Sequence, residues 1–131
     1  MKKYVFACIH NAGRSQMAAA FFNEIAPADA ASAVSAGTEP ADRVHPEVQL
    51  AMAEVGIDLT GAAPRPLTTE LTSDATALIT MGCGERCPNV PGLRVEDWPF
   101  PDPRGQSVDA VRGIRDAVRT RVEEFIAREL R

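Results

Sequence analysis

Near its N-terminus the chain reads "YVFACIHNAGRSQMAAAFFNEI", and this stretch limits the possible folds more than any other. Residues 4–8 are rich in β-formers and aliphatic on both faces, as in a strand covered on both sides within a parallel sheet. The next residues, "IHNAG", are loop-like. From Arg14 the period changes: Met17, Phe21 and Ile25 recur every four residues with Ala18 and Phe22 beside them, which predicts an amphipathic helix over 14–25 that Pro27 ends. A buried strand running straight into a helix is the opening half of a crossover unit, so an α/β architecture is expected.

The rest of the chain repeats this alternation. "SAVSAG" (32–37) reads as a second strand, and 46–55 as a helix with Pro46 in its first turn, Val48, Met52 and Val55 as its apolar stripe and Gly56 as its stop. "TTELTS" adds a helical turn before a third strand over 76–81. Residues 94–98 form a fourth strand, and Val111, Ile114, Val118, Val122 and Phe125 mark a last helix over 107–128. The expected fold is therefore a four-stranded parallel sheet flanked by helices on both faces. At 131 residues, 45% of them hydrophobic, the chain suits one compact domain, 1–131.

Composition narrows the function. The formal charge of -4 argues against a general nucleic-acid binder, which carries a basic face. No apolar run approaches the roughly 20 residues of a membrane span. "MKKYVFACIHN" is a poor secretory signal, so a cytoplasmic, monomeric protein without membrane or nucleic-acid partners is expected. The three cysteines, an odd number in such a chain, point to catalytic, redox or metal chemistry rather than a disulfide framework.

Their placement favours a reaction. In an open parallel sheet the ligand site lies at the carboxyl ends of the strands. Cys8 follows the first strand, Cys83 the third and Asp102 the fourth. Between Cys8 and Arg14 the backbone N–H groups of Ile9, His10, Asn11, Ala12 and Gly13 can curl into an anion-binding nest, with a helix N-terminus behind them. Arg14 would grip a tetrahedral oxyanion as a planar fork, with Cys8 beneath its central atom. The electropositive surroundings favour the thiolate nucleophile, and Ser15 can donate a hydrogen bond to it. Asn11 should fix the loop's shape through its amide. Asp102, before Pro103, is the candidate proton donor, with Asp97 as the fallback. His10 should line the site or face solvent, His45 should be a surface residue at a helix start, and Trp98, Met17, Phe21 and Phe22 belong to the core. A zinc site at Cys83 and Cys87 would lack two ligands, with Cys8, His10 and His45 as the remaining soft candidates, so no metal and no cofactor are expected.

"FACIHNAGRSQMAAAFF" resembles the signature of the low-molecular-weight protein tyrosine phosphatase superfamily, and its "HNAGRSQMA" form is similar to the arsenate reductases within it. "SAGTEP", "HPEVQLAMAEVGID", "LITMGCGERCP" and "VEDWPFPDPRGQ" extend the likeness over the whole chain. The resemblance implies that Cys8 attacks arsenate, that Cys83 releases arsenite by forming a disulfide, and that Cys87 passes the disulfide to thioredoxin. Phosphate and sulfate would compete as oxyanions. Electron counting agrees, since reducing As(V) to As(III) takes the two electrons that two thiols supply on forming one disulfide. Cys83 and Cys87 enclose only "GER", a compact spacing similar to that of relatives using a small thiol such as mycothiol, so both reductants stay open. Ala19 stands where relatives that hold a potassium ion carry an acidic residue, and no cation site is expected. The rival readings are a tyrosine or small-molecule phosphatase and a non-catalytic oxyanion or redox sensor. Against the phosphatase, "DPRGQ" lacks the tyrosines with which such relatives stack an aryl substrate.

Overall fold

The computed structural model describes residues 1–82 and 90–130. Eight elements follow in order: β1 (Lys2–Cys8), α1 (Arg14–Ile25), β2 (Ala31–Gly37), α2 (Pro46–Ala53), α3 (Thr69–Thr72), β3 (Ala77–Thr80), β4 (Arg94–Asp97) and α4 (Val108–Glu129). The strands form one sheet in the order β2-β1-β3-β4, and every neighbouring pair is parallel. The register sets Cys8 opposite Gly37, Ala7 opposite Thr80, and Thr80 opposite Asp97. All four carboxyl ends therefore open at one edge of the sheet, the edge that carries the candidate residue Cys8.

Alternation along β1 divides the core in two. Tyr4, Phe6 and Cys8 face a large cluster with Met17, Phe21 and Phe22 of α1, Val48 and Met52 of α2, and Val111, Val118, Val122 and Phe125 of α4. Val5, Ala7 and Leu78 face the opposite side, covered by Leu67, Leu71 of α3, Val90 and Leu93. Helices thus flank both faces. The first cluster is knitted by aromatic rings: Tyr4 lies 5.2 Å from both Phe22 and Phe125, and Phe6 lies 5.5 Å from Trp98. Such tilted and edge-on pairs add about 0.5–1.5 kcal/mol each beyond their burial.

Local signals account for the element ends. Ser107 caps α4 by accepting from the Ala110 N–H at 3.2 Å, and Thr68 caps α3 through Leu71 in the same way. At the end of α2 the Val55 and Gly56 N–H groups bond to carbonyls three residues back, Met52 at 3.1 Å and Ala53 at 3.0 Å, so the α-helix tightens and ends short of the predicted Val55, while Gly56, with φ 83°, closes the turn as expected. β1 starts earlier than its apolar run, because Lys2 and Lys3 pair with Ala31 and Ser32. The Lys3 stem runs out along the sheet to place its ammonium 2.7 Å from Asp74.

Candidate active site

Residues 8–13 are held from outside. The Cys8, Ile9, His10 and Ala12 carbonyls accept from the N–H groups of Thr38, Glu39, Ala41 and His45 at 3.2, 2.8, 2.9 and 3.0 Å. The Gly13 carbonyl accepts from Met17 N–H at 3.0 Å, and the Asn11 carbonyl from Gln16 Nε2 at 3.1 Å. Among the described residues, none of the N–H groups of Ile9, His10, Asn11, Ala12 or Gly13 donates to a protein acceptor. A run of such N–H groups beside a helix start is chemically able to receive an anion.

Cys8 is buried and unbridged, with its Sγ 2.9 Å from Ser15 Oγ. Asn11 takes a left-handed conformation, φ 51°, which asparagine tolerates better than most residues. Its Nδ2 donates to Ser15 Oγ at 2.7 Å. Its Oδ1 accepts from the Arg65 N–H at 3.0 Å, linking the loop to the segment that follows Gly61.

Arg14, 5% exposed, opens α1. One guanidinium nitrogen donates to the Phe100 carbonyl at 3.1 Å, and another lies 3.7 Å from Asp102 Oδ2. Gly82, with φ 83°, approaches that guanidinium so closely that a Cβ there would collide with it. Asp102 is half-exposed and accepts from the Arg104 N–H at 3.0 Å. The structure thus brings Cys8, Asn11, Arg14, Ser15 and Asp102 to one end of the sheet. Cys83 and Cys87 lie outside the described residues.

Asp97 ends β4 and accepts from the Thr80 hydroxyl at 2.8 Å. His10 is partly exposed, its Nδ1 3.1 Å from the Glu39 carbonyl. His45 differs from the expected surface residue: it is half-buried and its ring faces Gly13. Burial pushes its imidazole below the ordinary 6.5, against the opposing pull of Asp102 and Glu47. Trp98, Met17, Phe21 and Phe22 are buried in the core. Among the described residues no three His, Cys, Asp or Glu side chains converge as metal ligands, and no helix is long and apolar enough to cross a membrane.

Some groups escape sequence reasoning. The Phe100 carbonyl is backbone and carries no residue-type signal. Gln16 lies one position beyond the loop's last recognisable residue, and Arg65 acts through its N–H alone. Thr38 follows β2 beside the loop, and its Oγ1 is buried without a hydrogen-bond partner among the described residues.

Comparison with known proteins gives a consistent picture. Over 131 residues the chain is 39% identical to the glutaredoxin arsenate reductase of Synechocystis sp., covering 98% of both chains. A solved structure described as an arsenate reductase in the phosphate binding state superposes with a TM-score of 0.84 at 38% identity, covering 98% of each chain. The thioredoxin-dependent arsenate reductase of Corynebacterium glutamicum gives a TM-score of 0.81 at 34% identity, covering 95% of this chain but 60% of that longer one. The family described as low molecular weight phosphotyrosine protein phosphatase matches residues 3–131, and it is to this family that the chain belongs.

Proposed function

We propose that the chain reduces arsenate to arsenite, with Cys8 as the nucleophile and a disulfide relay to thioredoxin. The observation that carries this reading is the buried Cys8 thiol, hydrogen-bonded to Ser15 at 2.9 Å beneath a loop whose carbonyls all turn outward. A tetrahedral dianion meets backbone N–H groups, the Arg14 guanidinium and a sulfur nucleophile together. Likeness to arsenate reductases over nearly the whole chain supports arsenate as that dianion.

The chemistry balances in three steps. The Cys8 thiolate attacks arsenic and an oxygen leaves as water, protonated by Asp102, giving a Cys8–As(V) adduct. The Cys83 thiolate then attacks the Cys8 sulfur; the S–As pair departs with arsenic, which leaves as arsenite, and a Cys8–Cys83 disulfide forms. Cys87 attacks Cys83, frees the Cys8 thiolate and leaves a Cys83–Cys87 disulfide, which thioredoxin reduces. A relative named for its thioredoxin dependence supports that reductant, whereas the one named for glutaredoxin is the reason to test small thiols alongside it.

The test uses fully reduced protein and arsenate without external reductant. One arsenite released and two thiols lost per chain, ending in a Cys83–Cys87 bond by peptide mass mapping, is the expected result. Repeated arsenite turnovers by Cys8→Ser would overturn the nucleophile assignment. Phosphatase activity is the second reading, favoured by the family match itself, because Cys8, Arg14 and Asp102 alone provide what a phosphocysteine mechanism needs. Intact thiols, no arsenite and steady release of phosphate from aryl phosphates would select it.

A further inference from the structure

We infer that Gln16 is a positioning residue that fixes the direction of the hydrogen bonds ending on Cys8. The inference rests on Cys8 being the nucleophile, whichever oxyanion it attacks.

Gln16 lies in the first turn of α1 and is 6% exposed. Its Nε2 faces three oxygens: the Asn11 carbonyl at 3.1 Å, Asn11 Oδ1 at 3.2 Å and the Ala63 carbonyl at 3.4 Å. Three acceptors around one atom assign that atom as the amide nitrogen, because the amide oxygen there would face only lone pairs. The assignment propagates. Asn11 Oδ1 is occupied by Gln16 Nε2 and by the Arg65 N–H at 3.0 Å, so the Asn11 amide nitrogen must be the end that meets Ser15, at 2.7 Å. Ser15 Oγ therefore accepts from Asn11. Its single proton is left for the remaining neighbour, Cys8 Sγ at 2.9 Å. Every bond in the series Gln16, Asn11, Ser15, Cys8 points its donor toward the sulfur, which is the arrangement a thiolate needs.

Were the Asn11 amide to turn over, its oxygen would take the Ser15 proton and the sulfur would lose its donor. Arg65 opposes that turn with one N–H, and Gln16 opposes it from the other side while also holding the Asn11 carbonyl. Glutamate at position 16 keeps the shape but offers its neighbours two acceptors. Methionine keeps the approximate volume and offers no donor.

The experiment follows the rate of Cys8 alkylation by iodoacetamide against pH in reduced protein, read from the mass of the Cys8 peptide, with no arsenate present. Gln16→Glu should slow alkylation at neutral pH by roughly tenfold or more, the effect of losing a hydrogen bond to a charged group, and move the rise in rate to higher pH. Gln16→Met should do so less, since Arg65 still holds Asn11. A merely structural role is separated by repeating both substitutions in a Ser15→Ala background, where the series is already cut. There the position-16 changes should have no further effect on the profile. Wild-type profiles in both single variants overturn the inference. Equal slowing with and without Ser15 also overturns it. Should Gln16→Glu not fold, Gln16→Met carries the same two comparisons. Because arsenate is absent, a normal Gln16 result beside a failed arsenite count would sink the proposed substrate without touching the role of Gln16.

Discussion

Gly13→Ala tests whether the Asp102 loop has to lie where the structure places it. A Cβ at position 13 would stand 2.5 Å from Pro103 Cγ and 3.3 Å from its Cδ. Carbon atoms in ordinary contact sit about 3.5–4.0 Å apart, so the two segments must part by roughly 1 Å. Pro103 can repucker its ring but has no side-chain rotamer that swings clear, and Asp102 is attached directly to it. A displacement of about 1 Å in a reacting group lowers rates about 100-fold, or about 2.7 kcal/mol in the barrier. Steady-state arsenate reduction with an excess of reductant should therefore show kcat falling on that scale. Phosphate affinity should stay near wild type, because the carbonyl anchors of the loop are untouched. Adding Pro103→Ala removes the two colliding atoms and should restore much of kcat. A Gly13→Ala enzyme with wild-type kcat, or a double variant no better than the single one, would refute the reasoning.

Two further substitutions probe stability. Glu129 accepts from Tyr4 Oη at 2.9 Å and pairs with Arg94, and the Arg94 hydrogen bonds, with help from Tyr4, hold its carboxyl down from 4.5 to about 2. Since the folded value lies below the ordinary one, this stabilisation is complete above about pH 4.5 and is lost as pH falls toward 2. Thermal melts should show Glu129→Gln less stable than wild type at neutral pH, with the gap closing over that acid interval; a constant gap would contradict the linkage. Thr38→Val replaces a buried hydroxyl that has no partner among the described residues with a methyl group. It should raise the unfolding free energy by about 1 kcal/mol in urea titrations, and a loss of similar size would reveal a bond to that hydroxyl.

The sequence was legible where one physical rule acts over a short span. The two-sided apolar run of β1, the four-residue recurrence of Met17, Phe21 and Ile25, and the convergence of Cys8 and Asp102 at strand ends all follow from periodicity and parallel-sheet topology. What stayed hidden depends on long-range contact. Arg14 bonds to Phe100, 86 positions away, through a carbonyl that any residue possesses. Asn11 is fixed by an N–H 54 residues distant, and nothing in Arg65 as a residue type announces that use. His45 read as a surface group because a histidine before Pro46 looks like any helix start. Its partial burial arises from packing against the Gly13 loop, which no local pattern encodes.

The outward anchoring of residues 8–13 also bears on entropy. Four of the anchoring N–H groups belong to Thr38, Glu39, Ala41 and His45, a connection that leaves the sheet beside β1 and leads into α2. The loop's conformation is settled during folding, as part of the same ordering that builds the sheet edge. On the proposed function, an incoming dianion would meet donors already aimed, with little chain freedom left to surrender on association. Recognition in such a cradle is a matter of fixed charge and shape, and hydrogen exchange at those four amides should be nearly the same with and without bound phosphate.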